Sequence, residues 1–112
     1  MALIRKIAKE KKGGARWRSP AHLNHVRSHA CVTCDASAPI EAAHVRIGSD
    51  AGMGRKPSDY YAVPLCKSCH GLQHQMGERS FWGDVQIDPR EVMAELIATS
   101  PKRREIEAHR NG

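Results

Sequence analysis

The chain has 112 residues, a formal net charge of +6 and only 4% aromatic side chains. That length allows one domain, and a single Phe with two Tyr and two Trp excludes a core large enough to stand without some other cross-link. Four cysteines, with neither a secretory signal nor an apolar run long enough to span a bilayer, weigh against a disulfide-built secreted module and a membrane protein, so a cytoplasmic location is expected.

The whole charge excess lies in residues 1–18, where Arg5, Lys6, Lys9, Lys11, Lys12, Arg16 and Arg18 face Glu10 alone; the rest of the chain carries eleven basic and eleven acidic groups. Two readings of this arm stand side by side: a segment that follows a phosphate backbone without reading sequence, or a solvated tail that aids solubility. Leu3, Ile4, Ile7 and Ala8 can share one side of a short helix, which Gly13-Gly14 stops, and the arm is expected to move until a partner binds. Trp17, within ARWR, can equally stack on a base or pack inward.

Ser19-Pro20 opens a predicted helix to about Ser28, with Leu23 and Val26 inward. His22, His25 and His29 share its spacing; packing or surface roles are preferred over a second metal site. A tight knuckle is expected at Cys31–Cys34, a strand over Ile40–Ile47, a Gly-rich loop over Gly48–Pro57 and a short strand over Tyr60–Leu65. A second knuckle, Cys66–Cys69, leads into a helix that carries His70 and His74 and ends near Gly77, with Phe81 and Trp82 as core residues beyond it. Asp88, Pro89 and Glu91 mark the clearest helix start, ahead of Val92, Met93, Leu96 and Ile97. The expected organisation is a basic arm at 1–18, one domain at 19–100, and a charged tail or frayed helix at 101–112.

Two Cys-x2-Cys pairs, Cys31/Cys34 and Cys66/Cys69, supply four thiolates at the spacing of a tetrahedral structural Zn2+. Two disulfides or four buried thiols are the alternatives, and the paired spacing favours zinc. Thirty-one residues separate Cys34 from Cys66, more than the roughly 15–20 of a simple zinc ribbon, so the chemistry is expected within this insert. His70 and His74, four apart on a helix, can bind one metal ion, while His44 arrives from the facing strand as a base.

The run from Cys31 to His74, with AAHV around His44, VPLC at 63–66 and CH-x3-H at 69–74, resembles the zinc-bound HNH (ββα-metal) endonucleases. GMGRKPSDYYAVPLC followed by CHGLQHQMGERSFW is similar, more narrowly, to phage and prophage HNH proteins of the recombination-enhancement (Ref-like) kind. The resemblance covers residues 31–82. It implies an α+β fold with a small ββα-metal core around a four-cysteine structural zinc site, flanked by helices. It makes His44 the general base, His70 and His74 the ligands of a catalytic Mg2+ or other divalent ion, and the four cysteines the holders of zinc. The chain departs from the family pattern at Ala43, where many members carry a further metal ligand, and near Tyr61, where the middle Asn is missing. Asp59 is the candidate either for a third ligand or for the group that orients His44.

Arg46, two residues past His44, projects from the same face of the predicted strand and can clamp a phosphate; an ordinary exposed arginine is the equal alternative. Arg55, Lys56 and Lys67, with Arg16 and Arg18 of the arm, are the candidate DNA contacts; ordinary solvated charges are the alternative. The resulting expectation is a metal-dependent DNA endonuclease or nickase of low sequence specificity, with DNA as partner, recombination proteins as possible partners, and no membrane association. The alternative is a non-catalytic zinc-containing DNA-binding protein that assists recombination.

Overall fold

The computed structural model describes residues 15–52 and 54–112. The expected helix over the first dozen residues and the Gly13-Gly14 hinge lie outside them. The elements run α1 (Pro20–Arg27), β1 (Ile40–His44), β2 (Ala62–Cys66), α2 (Lys67–Met76), α3 (Glu78–Val85), α4 (Pro89–Ala98) and α5 (Arg103–Asn111). The fold is α+β, and its centre follows the expected order of strand, loop, strand, helix.

β1 and β2 pair antiparallel, with Ile40 opposite Cys66 and His44 opposite Ala62. Both strands are displaced from the predicted spans for local hydrogen-bonding reasons. β1 ends at His44 rather than Ile47 because the Arg46 and Ile47 amides donate to the Glu78 carboxylate, at 2.8 and 3.0 Å, instead of to a strand. β2 begins at Ala62 rather than Tyr60 because the Tyr61 amide closes a turn on the Ser58 carbonyl, at 2.9 Å. All five residues of β2 are buried, which accounts for its continuous apolar sequence. Pro64 is tolerated there because the hairpin has only two strands; its carbonyl accepts from the Val32 amide at 3.0 Å, laying the first cysteine segment along the strand's outer edge.

The helix ends are set by their caps. Ser19 Oγ accepts from the His22 amide at 3.1 Å with Pro20 in the first turn of α1, and Asp88 accepts from the Arg90 amide at 2.9 Å with Pro89 in the first turn of α4. α2 starts two residues earlier than the predicted Cys69 because Cys66 Sγ itself caps it, accepting from the Cys69 amide at 3.4 Å. Gly77, at φ +91°, turns the chain from α2 straight into α3, a backbone conformation that only glycine adopts without strain.

Both faces of the hairpin are covered. Ala43, Val45, Val63 and Leu65 pack with Cys31, Phe81, Trp82 and Met93, while Ala62 packs with Val26 of α1 and Leu96 of α4. The Phe81 and Trp82 rings meet edge to face, 5.0 Å apart at 89°, so these two carry the core role expected of them. Of the two readings of residues 101–112, the structure has the helix, over Arg103–Asn111, and it is docked on the domain rather than frayed. The fully buried Ile106 of this α5 packs with Tyr60 and Ile97, and Tyr60 Oη lies 2.7 Å from His109 Nδ1. No helix among the described residues is long and apolar enough to cross a membrane.

Candidate functional site

The four cysteines converge. Cys31 and Cys34 flank a turn in which the Asp35 amide donates to the Cys31 carbonyl at 2.8 Å and Asp35 takes a left-handed φ of +66°, one of the few conformations an Asp supports at modest cost. Cys66 ends β2 and Cys69 lies one turn into α2. All four Sγ atoms fall within 4.8 Å of one another, and Cys34 Sγ is 3.6 Å from Cys66 Sγ. A tetrahedral Zn2+ with Zn–S bonds of about 2.3 Å places its sulfurs about 3.8 Å apart, so the thiols fit the ion with small adjustments. The cluster could hold a metal ion such as zinc. Cys31 and Cys66 also belong to the main apolar core, so a metal bound here would tie β2, α2 and the first cysteine turn to it.

A cleft of about 810 Å³ is lined by His44, Arg46, Arg55, Lys56, His70 and His74 among others. Its base candidate is oriented by a carboxylate: His44 Nε2 is 2.9 Å from Asp59 Oδ1. Burial pushes the Asp59 carboxyl up, but the Ser19 amide, the His44 ring and the Arg18 guanidinium outweigh it and hold the group below the ordinary carboxylate range. Asp59 is therefore the acceptor and His44 Nε2 carries the proton. That tautomer leaves Nδ1 as the lone-pair nitrogen, with no hydrogen-bond partner among the described residues.

His70 and His74 stack with ring centres 4.8 Å apart, as their spacing on α2 predicts. His70 Nδ1 lies 2.6 Å from Glu41 Oε1, a contact the sequence does not reveal. A carboxylate on Nδ1 favours the tautomer that leaves the His70 Nε2 lone pair free. Among the described residues the cysteines form the one group of three or more His, Cys, Asp or Glu ligand atoms this close together. Asp59 does not join the histidine pair as a third ligand, because its carboxylate is already taken by His44, Ser19 and Arg18. Ala43 is buried in the core, on the side of β1 away from His44.

The basic candidates divide. Arg46 reaches the cleft from the turn after β1 rather than from a longer strand, and its guanidinium donates to the Arg55 and Gly52 carbonyls, each at 3.0 Å, bracing the loop. Arg55 and Lys56 are exposed on the rim, joined by Arg79 of α3, which no sequence pattern singles out. Lys67 is exposed at the first turn of α2 but does not line the cleft. Arg16 and Arg18 are folded onto the domain: Arg16 Nε lies 3.8 Å from Asp50 Oδ1, and Arg18 Nη1 donates to Asp59 Oδ1 at 3.2 Å. Trp17 packs against Tyr60 and His22, with ring centres 5.7 and 5.9 Å away, rather than standing free. His22, His25 and His29 form no metal cluster; His22 Nδ1 and His25 Nε2 bond Ser100 and Thr99 hydroxyls, joining α1 to the end of α4.

No curated protein and no solved structure matches the chain. A family described as protein of unknown function (DUF968) matches residues 7–82, a span that starts in the basic arm, takes in both cysteine pairs and the whole cleft, and stops at Trp82; the chain belongs to that family.

Proposed function

We propose that the chain is a metal-dependent DNA endonuclease or nickase of the HNH kind, with a structural zinc at the four cysteines and catalysis in the histidine cleft. The observation that carries this reading is the pairing, in one basic-rimmed cleft, of a carboxylate-oriented histidine with a stacked histidine pair. His44 Nδ1 takes the proton of the attacking water, while Asp59 on the opposite nitrogen holds the ring and stabilises the imidazolium that forms. Arg55, Lys56 and Arg79 supply the rim charge that draws in a phosphate backbone, a contact that carries no sequence preference of its own. Mg2+ or another divalent ion at His70 and His74 would polarise the scissile phosphate and stabilise the leaving oxygen.

A second reading, a non-catalytic zinc-containing DNA-binding protein that assists recombination, draws on one observation: no third protein ligand joins the histidine pair among the described residues. Incubating supercoiled plasmid and single-stranded DNA with the zinc-loaded protein and Mg2+, Mn2+ or EDTA separates the two. Nicking that requires the divalent ion and falls by about 10²–10⁴ in His44→Ala, with zinc content and melting temperature kept, is the expected result. Salt-dependent binding without cleavage under any metal would replace it with the binding-protein reading.

A further inference from the structure

The cleft does not close on its own segment of chain. Ala15–Ser19 runs across the loop before β2 as a strap: the Trp17 amide donates to Ser58 Oγ and the Asp59 amide to the Trp17 carbonyl, each at 2.9 Å, and the Ser19 amide donates to Asp59 Oδ2 at 2.8 Å. Arg18 completes it with three acceptors. Nη1 donates to Asp59 Oδ1 and to the Pro57 carbonyl, and Nη2 to the Lys56 carbonyl at 3.0 Å. The Asp59 side chain is 4% exposed and its Oδ1 is shared by Arg18 and His44, so whatever holds Arg18 also sets where the acceptor for the His44 ring proton lies.

We propose that Arg18 is a positioning residue of the cleft rather than a phosphate contact: its fork locks Asp59 to the loop backbone, and through Asp59 it fixes the ring of His44. This rests on the nuclease reading for its consequence in catalysis, but not for the contact itself. The planar guanidinium is needed because three acceptors in different directions must be met at once, which a lysine ammonium on a flexible stem cannot do with the same order. The arm, read in sequence as a source of affinity, thus ends in a strap that builds the site. The family match from residue 7 takes in this strap along with the cleft.

Zinc-loaded wild type, Arg18→Gln and Arg18→Lys are compared by three measurements: the exchange protection of the His44 Nε2 proton by NMR, the salt dependence of DNA binding, and kcat and KM for nicking. We expect a protected Nε2 proton in wild type that is lost in Arg18→Gln and only partly regained in Arg18→Lys. DNA affinity and salt slope should stay within error, and kcat should fall by about tenfold or more with KM unchanged. A positioned ring is required in the transition state, not in binding, which sets that split. If Arg18→Gln keeps the protected proton while the salt slope drops by about one unit, Arg18 is a phosphate contact and the proposal fails. It fails equally if none of the three quantities moves. Should Arg18→Gln not fold, judged by zinc content and melting, Arg18→Lys carries the same comparison. Should wild type cleave nothing, the proton protection and the salt slope still decide the role of Arg18, while the nuclease reading falls separately.

Discussion

The cysteine centre and the histidine cleft both draw on α2, which carries Cys69 as well as His70 and His74, yet they are built in opposite ways. The centre takes its four sulfurs from two close-set pairs, Cys31/Cys34 on a turn and Cys66/Cys69 at the junction of β2 and α2, and a bound ion would add the missing bonds. The cleft takes its functional side chains from α2 and the end of β1, but their orientation comes from afar: Asp59 lies fifteen residues from His44, Glu41 twenty-nine from His70, and Arg18 forty-one from Asp59. A metal-closed knot tolerates changes elsewhere in the chain, whereas a site held by distant hydrogen bonds depends on the whole fold being in place.

The largest expected effect tests the first half of that contrast. Removing zinc with a strong chelator, or Cys66→Ser, should abolish cooperative melting, because structural zinc contributes on the order of 10 kcal/mol in small zinc domains and this chain has few large side chains to make up the loss. His70→Ala and His74→Ala, by contrast, should leave the melting temperature within a few degrees of wild type, since both residues are at least partly exposed. Calorimetry with parallel zinc quantification checks both. A metal-free protein that still melts cooperatively near the wild-type temperature would remove the cysteine centre from its structural role.

The same contrast explains which parts can be read from sequence. The knuckles are legible because their ligands come as close-set pairs, α1 and α4 because Ser19-Pro20 and Asp88-Pro89 are strong caps, and the histidine pair because helical spacing fixes it. Arg18 is hidden in a run of basic residues whose common property is charge, and nothing local distinguishes the one that turns inward. Glu41 reads as an ordinary partly exposed strand residue until α2 is laid across it. The docking of α5 escapes because the segment presents a single buried apolar residue, Ile106, among charged neighbours, too little for a recognisable stripe. The end of β1 falls short of its predicted place for a related reason: Glu78, thirty-two residues away from Arg46, takes the amides that the longer strand would have used.

A smaller effect tests how far the strap side of the molecule depends on burial. His22 is fully buried between the strap and α4, with Nδ1 2.8 Å from Ser100 Oγ. Burial, followed by the neighbouring His25 and against the opposing pull of Asp59, pushes its pKa down to about 4. The unfolded chain therefore takes up a proton near pH 6.5 while the folded chain does not, so this contribution to stability is complete above pH 6.5 and is lost as the pH falls toward 4. At about 1.4 kcal/mol per pH unit the loss is on the order of 3 kcal/mol across that window. Acid also loosens the cysteine centre, so urea unfolding with excess zinc is compared between wild type and His22→Gln. The acid slope should be shallower in the variant, and parallel slopes would show that His22 contributes nothing to it.

The finest test falls on Glu41, because it asks whether the histidine pair is positioned for a metal or merely stacked. The carboxylate on His70 Nδ1 fixes the ring, and losing such a partner of a metal-binding histidine typically costs about 10–100-fold in metal affinity. The Glu41 side chain is 43% exposed, so solvent already competes for it and the lower end is expected. Calorimetric titration of zinc-loaded protein with Mn2+ or Ni2+ should show Kd rising about tenfold in Glu41→Gln, whose amide oxygen still accepts but carries no charge, and more in Glu41→Ala, with melting temperature unchanged. If both variants bind as wild type does, Glu41 is an incidental surface partner. If wild type itself binds no second ion, the histidines stack without a metal, and the cleft would have to act, if at all, through His44 and its basic rim alone.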